Sequence, residues 1–189
     1  MVDVVRSEFI LGGQRSGKSR RAEALAGHWL GASPAHRAVM IATGQPWDDE
    51  MRERIVRHQQ DRARSLPGMT TVEEPLALVH ALRQHGDANT LVVVDCLTLW
   101  LTNLLMPVDP QQVQDEGTAG QASEALCQAI ASAPGPVVLV SNEVGLGVIP
   151  MGREVRAYVD ALGRLNQQVA GVCQRATLMV AGLPLPLKG

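Results

Sequence analysis

Phe9-Ile10-Leu11-Gly12-Gly13-Gln14-Arg15-Ser16-Gly17-Lys18-Ser19 is the stretch that decides the fold of this chain. Three apolar residues read as a strand, G-x-x-x-x-G-K-S follows, and Arg20–Leu30 continues as a helix-like run. Strand, glycine-rich loop and helix in that order describe a phosphate-binding loop. Gly12, Gly13 and Gly17 let the backbone curl until several N–H groups face one anion. The helix that follows adds its positive N-terminal end. Lys18 is placed to neutralise the outer phosphates, and the Ser19 hydroxyl to ligate Mg²⁺.

Working outward, Phe9–Leu11, Val39–Ala42, Thr70–Val72, Leu91–Val94, Val137–Ser141 and Leu178–Ala181 read as strands. Most are continuous apolar runs, the mark of strands covered on both faces in a parallel sheet. Helical stretches alternate with them: Ser19–Leu30, Asp48–Ser65, Leu76–Gln84, Gln121–Ser132 and Val155–Cys173. This predicts an α/β fold of the P-loop type, doubly wound, with a mostly parallel sheet and helices on both faces. One domain over residues 1–189 is expected, with Met106–Gly120 as a surface loop because it is rich in Pro, Asp, Gln and Gly.

With 189 residues and 46% hydrophobic content but few aromatics, the core must be built from Leu, Val, Ile, Ala and Met. A net charge of −2 without a basic block argues against nucleic-acid binding. Cys96, Cys127 and Cys173 are widely spaced and odd in number, so neither a disulfide framework nor a metal motif is expected, and a reducing cytoplasm is. No basic region with a long apolar run opens the chain, and Leu91–Val108 is interrupted by Asp95, Thr98, Thr102 and Asn103, so neither a signal peptide nor a membrane span is expected.

Three further stretches carry chemistry. Leu91-Val92-Val93-Val94-Asp95 ends a buried strand on an acid, where a P-loop enzyme holds Mg²⁺. No glutamate follows Asp95 to activate water, which favours transfer over hydrolysis. Thr43-Gly44-Gln45 follows another buried strand, at the end where ligands bind in open α/β sheets; an ordinary turn capped by Asp48 is an equal reading of the composition. In Arg54-Ile55-Val56-Arg57-His58-Gln59-Gln60-Asp61-Arg62, helical spacing puts Arg54, His58 and Arg62 on one face. Two flanking cations disfavour imidazolium, and a neutral imidazole is a competent nucleophile toward phosphorus. A solvated basic helix face is at least as good a reading on physics alone. Val138–Gly147 ends a further strand in Ser141, Asn142, Glu143 and two glycines, as a loop beside the phosphate site or as packing. His28, His36, His80 and His85 read as surface or packing residues.

Taken together, GGQRSGKSRRAEALA (12–26), IATGQPWDDEMRERIVRHQQDR (41–62), TVEEPLAL (71–78), VVVDCLTLWLTNLL (92–105), SNEVGLGVIP (141–150) and the terminal AGLPLPLKG resemble one family, the bifunctional adenosylcobinamide kinase / adenosylcobinamide-phosphate guanylyltransferases of cobalamin biosynthesis. The resemblance implies two reactions. A nucleoside triphosphate (ATP or GTP) phosphorylates the aminopropanol hydroxyl of adenosylcobinamide. GTP then gives GMP to that phosphate through a GMP–histidine intermediate, forming adenosylcobinamide-GDP. It implies His58 as the nucleophile and a GTP site on Gly12, Gly13, Gln14, Arg15, Ser16, Gly17, Lys18, Ser19, Thr43, Gly44, Gln45, Asp61, Arg62, Arg64, Glu73 and Asp95. Ser19 and Asp95 would hold Mg²⁺. A homotrimer is implied as well. Gln14 stands where the family commonly has Ala, and Asp95 where some members have Glu. A simpler P-loop small-molecule kinase, or a non-catalytic nucleotide switch, is the alternative.

Overall fold

The computed structural model describes residues 3–46, 49, 52–53, 56–57, 66–107, 116–148 and 150–189. Seven strands form one sheet in the order β3-β2-β4-β5-β1-β6-β7. They are β1 (Ser7–Gly12), β2 (Arg37–Ala42), β3 (Met69–Glu73), β4 (Thr90–Asp95), β5 (Val137–Val140), β6 (Arg175–Val180) and β7 (Leu183–Lys188). Every pairing is parallel except β6 with β7. The helices are α1 (Lys18–Ala32), α2 (Leu78–His85), α3 (Leu97–Leu105), α4 (Glu116–Ser132) and α5 (Arg153–Val172).

The continuous apolar strands are explained by two cores, one on each face of the sheet. Successive side chains of a strand point to opposite faces. Phe9, Leu11, Val92, Val94, Val137 and Leu139 therefore enter one core, with Leu82, Trp100, Leu126 and Leu165 from α2 to α5. Ile10, Leu91, Val93, Val138 and Val140 enter the other, against Ala22, Leu25 and Ala26 of α1. The expected fold class holds. The expected helix over Asp48–Ser65 lies largely outside the described residues.

Two expectations need correction. Residues 116–120, expected as part of a loop from Met106 to Gly120, belong to α4. Ala119 there is buried in the larger core, so packing outweighs the glycines around it. β7 was not expected at all. Pro184 and Pro186 lie within Leu183–Lys188, and an edge strand tolerates residues without an N–H. β7 is the outermost strand, and all six of its residues are exposed.

Glu8 shows what a buried charge requires. It is 1% exposed at the start of β1. Its carboxylate accepts hydrogen bonds from Arg21 Nε at 2.7 Å, Thr177 Oγ1 at 3.0 Å and Arg175 at 3.5 Å. This ties α1 and β6 to the central strand. Removing one partner strands the others without compensation. Glu8→Ala is expected to cost about 3 kcal/mol of unfolding free energy. Urea titration at fixed protein concentration checks this, and a loss within experimental error would show that the cluster does not hold these elements together.

Candidate active site

The loop between β1 and α1 is shaped by backbone that only glycine takes easily. Gly12 has φ +154°, and a Cβ there would sit 2.5 Å from Ser16 Oγ and 2.6 Å from the Met179 carbonyl. Gly17, with φ +100°, is the residue before the first turn of α1. Gly13, expected to share this role, has no positive φ and open space where a Cβ would stand, so it curls the loop no more than another residue would. Arg15 takes the left-handed conformation at φ 55°. Lys18 is buried, and its ammonium donates to the Gly13 carbonyl at 2.6 Å, folding back across the loop.

Beneath the loop, α1 and β4 bring two oxygen donors together. Ser19 Oγ donates to Asp95 Oδ2 at 3.5 Å. A hydroxyl and a carboxylate are hard donors of the kind Mg²⁺ takes, and that ion needs few protein ligands when water and phosphates complete its shell. Among the described residues no group of three His, Cys, Asp or Glu gathers, so a site built from histidines or thiolates is not what this geometry offers. The residues present fit Mg²⁺. Asp95→Asn keeps the shape but removes the negative charge and one of the two oxygen donors. It is expected to raise the Mg²⁺ concentration for half-maximal activity at least about tenfold; an unchanged titration would make Asp95 structural.

The carboxyl ends of β3, β2 and β4 lie level, because Ala42 pairs with Glu73 on one side and Asp95 on the other. Thr43 follows Ala42 and is fully buried. Its hydroxyl donates to the Cys96 carbonyl at 2.7 Å and accepts from the Cys96 N–H at 2.9 Å. Its own N–H donates to the Asp95 carbonyl at 3.1 Å. Thr43 is thus a clamp on the Asp95–Cys96 backbone, and its hydroxyl is used inside the protein. Asn103 closes the arrangement by donating to the Thr43 and Pro75 carbonyls at 2.7 and 3.0 Å. Gly44 and Gln45 follow half-buried, and Glu73 is exposed. Glu73 lies two strand spacings from Asp95, roughly 10 Å. The fold therefore brings together Gly12–Ser19, Thr43–Gln45 and Asp95, with Glu73 farther out. His58, Asp61, Arg62 and Arg64, with Arg54, lie outside the described residues.

Cys96 is next to Asp95, yet it is no nucleophile. Burial, with the Asp95 charge added, pushes its thiol up to about 12, so it stays protonated. Cys173 is likewise pushed up to about 12 by burial.

The loop after β5 reaches this site as its sequence suggested. Ser141 N–H donates to the Ile10 carbonyl at 3.0 Å and Glu143 N–H to the Gly12 carbonyl at 3.3 Å. Behind it stands a polar network that no motif marks. Ser141 Oγ donates to Asn166 Oδ1 at 2.8 Å, Asn166 Nδ2 to the Asn142 carbonyl at 3.1 Å, and the Asn142 N–H to Thr98 Oγ1 at 2.8 Å. Tyr158 Oη donates to the Thr98 carbonyl at 3.0 Å. The available signal was Asn166 itself, a polar residue on the apolar stripe Leu162, Leu165, Val169 of α5. A cleft of about 650 Å³ opens between this loop and α5, lined by Val144, Val148, Arg156, Asp160 and Gln167. Its wall is mixed apolar and charged.

The family model described as cobinamide kinase / cobinamide phosphate guanyltransferase matches residues 8–187. The bifunctional adenosylcobalamin biosynthesis protein CobP of Pseudomonas aeruginosa is 50% identical over 182 residues, covering 96% of this chain and 97% of that protein. The bifunctional adenosylcobalamin biosynthesis protein CobU of Escherichia coli is 37% identical over 187 residues, covering 95% and 98%. Its counterpart in Salmonella typhimurium is 35% identical over the same length.

Proposed function

This chain belongs to the cobinamide kinase / cobinamide phosphate guanyltransferase family, and we propose that it performs both reactions at one nucleotide site built on Gly12–Ser19, Thr43–Gln45 and Asp95. The simpler-kinase alternative is set aside, because relatives bearing the bifunctional name match nearly the whole chain. The observation that carries the nucleotide site is the approach of Ser19 Oγ to Asp95 beneath the glycine-rich loop.

In the first reaction the hydroxyl of adenosylcobinamide attacks the γ-phosphorus of ATP or GTP, and the nucleoside diphosphate leaves. Loop N–H groups and Lys18 face the oxygens on which charge accumulates. In the second, the His58 imidazole attacks the α-phosphorus of GTP. A P–N bond forms, the P–O bond to pyrophosphate breaks, and pyrophosphate carries away the charge that Lys18 stabilises. The phosphate of adenosylcobinamide phosphate then displaces histidine and gives adenosylcobinamide-GDP. Two in-line displacements retain configuration at phosphorus. Ser19 and Asp95 would hold Mg²⁺, which would supply neutralisation of the triphosphate charge. Asp61, Arg62, Arg64 and Glu73 complete the GTP site in this reading, and the functional unit is a cytoplasmic homotrimer. Among the described residues no helix is long and apolar enough to cross a membrane.

The test is incubation with α-labelled GTP and Mg²⁺, followed by denaturing electrophoresis and peptide mapping. Label on the peptide containing His58 is the expected result. Turnover of cobinamide without any covalent label would favour a kinase alone.

A further inference from the structure

We infer that the β6–β7 turn is a positioning element of the phosphate loop, acting through the hydrogen bond from the Gly182 N–H to the Ser16 carbonyl, 3.0 Å long. The inference rests on the nucleotide site proposed above and adds a part of the chain far from it in sequence.

Ala181 and Gly182 form a two-residue hairpin turn, closed by the pairing of Val180 with Leu183. Both are left-handed, at φ 52° and 82°, as a primed hairpin turn requires. The turn meets the glycine-rich loop backbone to backbone. A Cβ on Gly17 would lie 3.3 Å from the Gly182 Cα, and one on Gly12 would lie 2.6 Å from the Met179 carbonyl. No side chain fits between them.

The direction of that one hydrogen bond gives it a consequence. The Ser16–Gly17 peptide is trans, so its carbonyl and its N–H point in opposite directions. Holding the Ser16 carbonyl outward against Gly182 turns the Gly17 N–H inward, to the side where the loop gathers its donors for an anion. Ser16 offers little else to fix that plane. Its buried hydroxyl has no partner, and its N–H makes a long bond of 3.3 Å to the Gly13 carbonyl. An N–H aimed in advance costs nothing to orient when charge arrives. Gly182 touches no substrate in this account; it acts through the Gly17 amide.

The N–H itself can be removed. Cys173 lies just after α5 and suits ligation of the preceding chain to a synthetic peptide spanning residues 173–189. In that peptide the Gly182 N–H is replaced by an ester oxygen, and an all-amide peptide gives the control. Calorimetry with Mg²⁺ and GDP reads affinity, and guanylyl transfer reads the KM for GTP. The ester chain is expected to bind GDP about tenfold more weakly and to show a similar rise in KM, the size of one lost hydrogen bond to a charged group. Recombinant Gly182→Asn keeps the N–H, tolerates a positive φ and enters open space; it should stay within about twofold of the parent chain. If the ester chain does not refold, a synthetic peptide with N-methylglycine in place of Gly182, which removes the same N–H and still allows a positive φ, is read in its place with the same expectation. A hairpin that merely covers the sheet would lower the melting temperature and leave the GDP affinity of the folded fraction unchanged. That result overturns the inference, as does loss of affinity in Gly182→Asn equal to that in the ester chain. An all-amide chain that folds but binds no GDP would overturn the nucleotide reading itself.

Discussion

His58→Ala is expected to abolish guanylyl transfer, by at least about 10⁴-fold, while cobinamide phosphorylation continues at a measurable rate. The asymmetry follows from the chemistry. In the proposed route the α-phosphorus is attacked by a group on the protein, which becomes covalently joined to GMP. Attack on the γ-phosphorus by the substrate hydroxyl needs no such group. Alanine favours the helical conformation predicted for this stretch, so the substitution removes the imidazole without breaking the backbone. The wild-type adduct should be labile to acid and stable to base, as a phosphoramidate is. Labelled GMP persisting on the His58→Ala protein would place the nucleophile elsewhere and return this face to a solvated basic surface.

Lys18→Ala should depress both reactions together, each by on the order of 10²–10³-fold. The ammonium is already buried against the Gly13 carbonyl, so it is partly desolvated before any nucleotide arrives. A charge in that setting acts more strongly on a developing anion than one in open water. In the proposed mechanism both reactions draw charge toward the triphosphate end assigned to Lys18, so neither is expected to be spared. Steady-state rates for the two half-reactions, with circular dichroism to confirm folding, decide the matter. If one activity survived near its normal rate, the two chemistries would not share this loop.

The sheet was legible in the chain because burial on both faces leaves a blunt signature. Leu91–Val94 and Val137–Val140 are apolar at every position, and each fills two cores. β7 was illegible for the opposite reason. Its pattern of alternating leucine and proline contains no feature of a central strand and makes sense only at an edge, which topology decides. The start of α4 was hidden in a similar way, since glycines among 116–120 look like loop until Ala119 is seen packed in the core. In the site, the glycine-rich loop and Asp95 were readable because each sits where a buried strand stops. Thr43 stands at the end of β2, and the bonds of its hydroxyl to the Cys96 backbone were not readable from its position in the sequence. Gly182 could not be found by spacing, because its hydrogen bond to Ser16 joins segments more than a hundred residues apart.

That last distance also bears on how the chain is made. β1 precedes both of its neighbours by more than a hundred residues, yet it sits between β5 and β6, with Phe9 opposite Leu139 and Ile10 opposite Thr177. Contacts so far apart in sequence form slowly. Until both neighbours exist, Phe9, Ile10 and Leu11 have no sheet to join, and the loop after them has no wall on either side. A growing polypeptide therefore carries the glycine-rich loop without its supporting walls until those strands have been made. The sheet around β1 can close only after β6 has been made, and a stop anywhere before β6 would leave an apolar strand exposed to aggregation.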